Sequence, residues 1–193
     1  SRSHTDSNTQ TPHRCGAHME DGTLEDALIA SGAVRFGEFD LAAGGTSSYY
    51  VDKYRFETAP ATLALIAAAF AEDLLADRIA GVALGGVPLA VATSLHTEIP
   101  YLIARKRAKA HGTAQQVEGE LGAGDTVVLL EDIATTGMSA ADAVASIRDA
   151  GGVVEEVRVV VDREEGATGA LEEVGVRMRA LCTASDLLAR TDT

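Results

Sequence analysis

Cysteine is scarce in this chain. Cys15 and Cys182 are its two thiols, and their separation leaves no metal-ligand spacing and no disulfide framework, so a reducing cytoplasm is the expected setting. Long apolar runs are missing too. The longest stretch, Leu63 to Phe70, suits a core helix and falls short of the roughly 18 residues a membrane span requires. Tryptophan is absent and aromatics make up 4% of the residues. Positive charge is in deficit, with 16 Lys plus Arg against 29 Asp plus Glu and a net charge of −13, which argues against nucleic acid or an anionic membrane as a bulk partner. An acidic, Ala-rich surface of this kind resembles proteins of salt-loving archaea, in which high ionic strength screens the self-repulsion. The first eighteen residues are polar, contain no h-region and precede Met19; they read as a disordered extension or a remnant of expression, with the native start near Met19. The length of 193 residues suits one substantial core.

What is present concentrates in three segments. Thr126 to Leu130 is a β-branched and aliphatic run of the kind found in a strand buried on both faces, and the carboxyl ends of such strands are where open α/β sheets bind ligands. Glu131 and Asp132 are expected to emerge there. Ile133, Ala134, Thr135, Thr136, Gly137, Met138 and Ser139 follow, and the Ala-rich stretch from Ala140 to Ala150 reads as a helix whose first turn has unpaired N–H groups. Hydroxyls, free amides and a permissive glycine suit a phosphate dianion. The carboxylate pair would repel that phosphate, so it better fits vicinal sugar hydroxyls or a phosphate-bound Mg2+.

The second segment is Ile79 to Ala90. Gly81 to Leu84 reads as a buried strand, Gly85 and Gly86 let backbone amides approach a ligand, and Pro88 suits the first turn of a helix. The third runs against the overall charge. Arg105, Lys106, Arg107 and Lys109 are four of the chain's 16 basic residues, and His111 follows. The stretch from Lys106 to Gly124 is glycine-rich and reads as a long mobile loop with room for a short hairpin; loops longer than about 12 to 15 residues are usually functional or disordered. Such a loop could reach roughly 30 Å from its base, enough to cover a neighbouring subunit's site.

The strand, the acidic pair and the Thr-Thr-Gly loop together resemble the 5-phosphoribosyl 1-pyrophosphate (PRPP) motif of type I phosphoribosyltransferases. From about Val34 to Leu188 the chain resembles, more narrowly, the orotate phosphoribosyltransferase family in its archaeal form. The matching pieces are Phe36-Gly-Glu-Phe-Asp-Leu, Gly44-Gly-Thr-Ser-Ser-Tyr-Tyr-Val-Asp52, Gly85-Gly-Val-Pro-Leu, Arg105-Lys-Arg-Ala-Lys-Ala-His-Gly112, Glu131-Asp-Ile-Ala-Thr-Thr-Gly-Met-Ser139 and Val161-Asp-Arg-Glu-Glu165.

The resemblance implies that Glu131 and Asp132 hold ribose hydroxyls, that the segment through Ser139 binds the 5-phosphate, and that Gly85 and Gly86 line the pyrophosphate end. It makes Arg105, Lys106, Lys109 and His111 residues of a lid that reaches the pyrophosphate in the adjacent subunit of a homodimer. Lys109, His111 and Asp132 become the candidate catalytic residues. Arg163 and Thr135 match orotate-contacting positions, and Mg2+ is expected to be held mainly by PRPP, with no protein metal site.

Two cations of the bacterial pattern are missing. Leu41, Ala42, Ala43 and Gly44 stand where many bacterial relatives have Leu-Lys-Ser-Gly, and Gly85 stands where they have a lysine; Lys53 and Arg55 are the candidates to substitute in the hood. The implied architecture is a doubly wound, mainly parallel α/β sheet over about 57–190, with a small N-terminal hood over about 20–56. Strands are expected near Gly81–Leu84, Tyr101–Ala104, Thr126–Glu131, Val154–Asp162 and Val176–Leu181, and a helix over Pro60–Leu75. The implied reaction is orotate plus PRPP giving orotidine 5-monophosphate and pyrophosphate. A phosphoribosyltransferase for another base, or a PRPP sensor without turnover, would share the phosphate motifs.

Overall fold

The computed structural model describes residues 23–40, 46–105 and 116–190. Its centre is a six-stranded sheet in the order β5-β4-β3-β6-β7-β8, formed by β3 (Arg78–Val82), β4 (Tyr101–Ala104), β5 (Val117–Glu118), β6 (Thr126–Ala134), β7 (Val153–Asp162) and β8 (Arg177–Thr183). All neighbours run parallel except β5, which returns antiparallel to β4. The helices between strands are α4 (Gly86–Thr97), α5 (Met138–Asp149) and α6 (Ala167–Glu173), and α7 (Ala184–Ala189) follows β8. Residues before the sheet form α1 (Leu24–Ala30), the antiparallel pair β1 (Val34–Asp40) and β2 (Thr46–Val51), then α2 (Lys53–Glu57) and α3 (Pro60–Ala71).

Alternation along β6 explains how the layers assemble. Val127 and Leu129 point to one face and pack with Ala143, Val144 and Ile147 of α5. Val128 and Leu130 point to the other and pack with Phe56, Ile66, Phe70 and Leu89 from α2, α3 and α4. A strand covered on both faces gains nothing from polar positions, which is why it reads as an unbroken apolar run. Full burial of side chains the size of Phe70 or Leu129 stabilises the fold by about 1.5–3 kcal/mol each.

Several boundaries differ from the sequence expectations. The strand expected at Gly81–Leu84 is Arg78–Val82, and the chain turns at Ala83 to Gly85, with a cis peptide between Ala83 and Leu84. β6 continues to Ala134, because pairing with β7 extends to Ala134 opposite Asp162. Asp132 therefore lies within the strand instead of beyond it. α5 starts at Met138, earlier than Ala140.

The helix expected to reach Leu75 stops at Ala71. Arg158 ends it: this arginine, 2% exposed, donates to the carbonyls of Phe70 at 2.6 Å and Glu72 at 2.7 Å. A guanidinium planted on the last carbonyls of a helix satisfies acceptors that have no intrahelical donor.

Candidate active site

The carboxyl ends of β3 and β6, adjacent in the sheet, each lead directly into a twelve-residue helix. Neither α4 nor α5 has a side chain bonded to its first amides, so two helix N-termini carrying partial positive charge sit at neighbouring strand ends. At α5 the turn is made by Gly137, with φ +78°, a left-handed conformation in which a Cβ would also come within 3.0 Å of the Ala167 backbone. A side chain there is opposed by both strain and space. Thr135 and Ser139 flank the turn half-buried, Ala134 is buried, Ile133 is half-buried, and Thr136 and Met138 are exposed.

Between the two helix ends lie the carboxylates. Glu131 and Asp132 are both buried, at 7% and 6% exposure. Burying two adjacent acids requires compensation, and for Asp132 it is visible. Its Oδ1 accepts the Ile133 N–H at 2.6 Å, and its Oδ2 is 2.6 Å from the Lys53 ammonium. A third acid joins them from α2: Glu57, 5% exposed, whose Oε1 has no hydrogen-bond partner. Burial, and then the proximity of Asp132, pushes its carboxyl up to about 7. Asp132 and Glu57 meet beside Gly85, where an added Cβ would lie 1.6 Å from Asp132 Oδ2 and 2.8 Å from Glu57 Oε1. Gly85 and Gly86 are themselves buried.

Arg163 follows the end of β7, tied there by its N–H to Ala134 O at 2.9 Å. Its guanidinium lies over the Tyr49 ring from β2 at 5.1 Å, a cation–π arrangement that holds it flat. Its Nε is 3.0 Å from Glu165 Oε1 yet lacks hydrogen-bond alignment and has no other partner. The strand pair β1-β2 thus reaches the carboxyl edge through Tyr49, as α2 does through Lys53.

The sequence-selected groups accordingly converge in part. Gly85, Gly86, Glu131, Asp132 and the Ile133 to Ser139 turn lie together, with Arg163 on the next strand. Arg105 stands at the end of β4, exposed and paired with Glu118 Oε1 at 3.3 Å. Lys106, Arg107, Lys109 and His111 lie outside the described residues. Of the two candidates to supply a missing cation, Lys53 is in the site, while Arg55 faces Asp52 at 3.8 Å. Glu57 and Tyr49 were not singled out from sequence. Glu57 carried a readable signal, since it stands four residues after Lys53 and so shares its helix face.

A phosphoribosyl transferase domain family matches residues 55–172. The chain is 60% identical over 166 residues, 86% of its length and 95% of the relative's, to the orotate phosphoribosyltransferase of Halobacterium salinarum. Among solved structures, the orotate phosphoribosyltransferase of Aeropyrum pernix superposes with a TM-score of 0.82 at 35% identity, covering 88% of this chain and 98% of that one. The Mycobacterium tuberculosis enzyme in complex with PRPP superposes with a TM-score of 0.70 at 31% identity, covering 85% and 96%.

Proposed function

The chain belongs to the orotate phosphoribosyltransferase family, and on that premise we propose how its residues divide the work. The enzyme transfers the 5-phosphoribosyl group of PRPP to orotate: the bond from the anomeric carbon to pyrophosphate breaks, a bond to the orotate ring nitrogen forms, and orotidine 5-monophosphate and pyrophosphate leave. This is a step of pyrimidine nucleotide synthesis.

The observation that carries the reading is the pair of helix N-termini at adjacent strand ends with buried carboxylates between them. PRPP has the complementary order, with phosphate, sugar diol and pyrophosphate along one molecule. The N-terminus of α5, with Thr135 to Ser139, takes the 5-phosphate. Glu131 and Asp132 accept hydrogen bonds from the ribose hydroxyls. The amides around Gly85 and Gly86, at the start of α4, face the pyrophosphate. Orotate lies between Thr135 and Arg163, whose planar guanidinium pairs with its carboxylate or a carbonyl oxygen.

As pyrophosphate departs, positive charge develops on the anomeric carbon and negative charge on the leaving oxygens. Catalysis rests on fixed dipoles and charges placed for that separation. Arg105, Lys106, Lys109 and His111 form a lid over the leaving group, Lys109 and His111 hydrogen-bonding or protonating it, and the lid excludes water that would capture the sugar cation. This lid acts on the partner site of a homodimer. The described residues contain no cluster of three or more His, Cys, Asp and Glu side chains able to hold a metal; in this reading Mg2+ arrives on PRPP, whose oxygens are its main ligands, and it supplies charge neutralisation at pyrophosphate. No helix among the described residues is long and apolar enough to cross a membrane, and we assign the enzyme to the cytoplasm.

The test is an acceptor panel. Purified protein with PRPP and Mg2+ is offered orotate, uracil and adenine in turn, and pyrophosphate is measured. Release with orotate, lowered at sub-saturating orotate by Arg163→Met, is the expected result. Release with adenine alone would make this a purine enzyme, and PRPP binding without release for any base would make it a sensor.

A further inference from the structure

Position 85 is a glycine, and the volume around it is taken. An added Cβ would fall within 1.6 Å of Asp132 Oδ2 and 2.8 Å of Glu57 Oε1, so a side chain at 85 and these two carboxyls exclude one another. The cation at the site comes from elsewhere. Lys53, at the start of α2, approaches from the side of β1 and β2 and places Nζ 2.6 Å from Asp132 Oδ2. Its side chain is 32% exposed and that of Asp132 is 9% exposed, so the contact is partly shielded and stronger than a surface pair. The other Asp132 oxygen is held by the Ile133 N–H. Each carboxylate oxygen keeps a further lone pair for a sugar hydroxyl, while the plane of the group is fixed from two directions. Glu57, one turn along α2, would otherwise crowd Asp132 with a second charge; burial and Asp132 keep it protonated up to near neutral pH.

We propose that Lys53 is a positioning residue of the transfer reaction, which reaches Asp132 from α2 through the volume left open by Gly85 and holds that carboxylate in the orientation that receives the ribose hydroxyls. This rests on the reading of Asp132 as a ribose-binding residue. Lysine at 53 and glycine at 85 are then a matched pair, and α2 links β1 and β2 to the PRPP site. Lys53 acts on substrate through Asp132 and is not assigned a contact with the phosphates.

The experiment is steady-state kinetics of the full chain with Lys53→Met and Lys53→Arg, with melting temperatures alongside. The wild type must first consume orotate with PRPP; an inert wild type would sink the functional reading itself. With an active wild type, Lys53→Met is expected to raise KM for PRPP roughly 10- to 100-fold while leaving KM for orotate within about twofold. Lys53→Arg should recover most of that loss. An unchanged KM for PRPP in Lys53→Met overturns the proposal. So does a parallel rise in both KM values with a lowered melting temperature, which would mark a purely structural contact.

Discussion

The two edges of the sheet are made by the same strands and handle polarity in opposite ways. At the amino edge, a cavity of about 360 Å³ opens among Leu75, Thr126, Val153, Glu155, Glu156 and Arg177, and Glu156 and Arg177 there are paired. Asp77 accepts both the N–H and the hydroxyl of Thr126, at 2.8 and 2.7 Å. Glu156 is bonded by Arg158 and Arg177; burial pushes its carboxyl up, but the two guanidinium contacts prevail and hold it below the usual range. At the carboxyl edge, Glu57 Oε1 and Arg163 Nε are buried without hydrogen-bond partners, and two helix ends lack side-chain caps. Buried polar groups are rarely left unmet where only stability is at stake. The convergence of buried carboxyls, an arginine and two uncapped helix ends, and not cavity volume, separates the functional edge from the structural one.

The comparison can be broken at four points. Asp132→Asn keeps the shape of the side chain and removes its charge between the helix ends; it should lower kcat/KM for PRPP by roughly 10²- to 10³-fold, the scale of losing an electrostatic contact made at the reacting sugar, with the fold retained by circular dichroism. Arg158 in β7 and Arg163 just after it should then separate cleanly. Arg158→Met removes four hydrogen bonds from a side chain 2% exposed and should cost about 3–5 kcal/mol in denaturant unfolding, whereas Arg163→Met should raise KM for orotate roughly tenfold or more with little change in unfolding midpoint. If Arg163→Met unfolds the protein and Arg158→Met does not, the division of the edges is wrong.

A smaller effect concerns pH. The folded-state carboxyl of Glu57 is raised to about 7 from an ordinary value of 4.5. The folded state therefore holds a proton that the unfolded state has already released, and the contribution of this group to stability falls as pH rises from about 4.5 through 7. Glu57→Gln should raise the melting temperature by more at pH 8 than at pH 5, and an equal change at both would remove Glu57 from the coupled site. The smallest effect is expected at the amino edge: Leu75→Ser, at a side chain 90% exposed, should shift stability by no more than about 0.5 kcal/mol and leave kinetics unchanged.

Much of this was legible in the sequence where local pattern and chemistry coincide. The Thr126 to Leu130 run, Gly137 and the acidic pair form one uninterrupted segment, so strand, turn and helix follow from neighbours in the chain. The parallel sheet follows from the same alternation. What was hidden depends on contacts across long separations. Lys53 and Asp132 are 79 positions apart, and nothing local distinguishes Lys53 from Arg55. The early end of α3 is fixed by Arg158, 88 positions away from Phe70, and a charged residue inside an apolar strand gives no sign of which carbonyls it will cap. β6 outran its expected end at Glu131 because Asp132 looks like a loop residue until its buried environment is known. The expected lid residues Lys106, Lys109 and His111 lie outside the described residues, so the kinetics of Lys109→Ala, which should lower turnover more than PRPP affinity, bear on them instead.

The central claim is that this chain moves a phosphoribosyl group onto orotate. Its most direct test is to follow the ultraviolet absorbance of orotate after adding PRPP and Mg2+, in dilute buffer and in molar KCl, with pyrophosphate measured in the same samples. The account predicts loss of orotate matched one to one by pyrophosphate, with the higher rate in molar salt if the acidic surface is an adaptation to it. Pyrophosphate without orotate loss, or no reaction at either salt from a folded protein that binds PRPP, would contradict it.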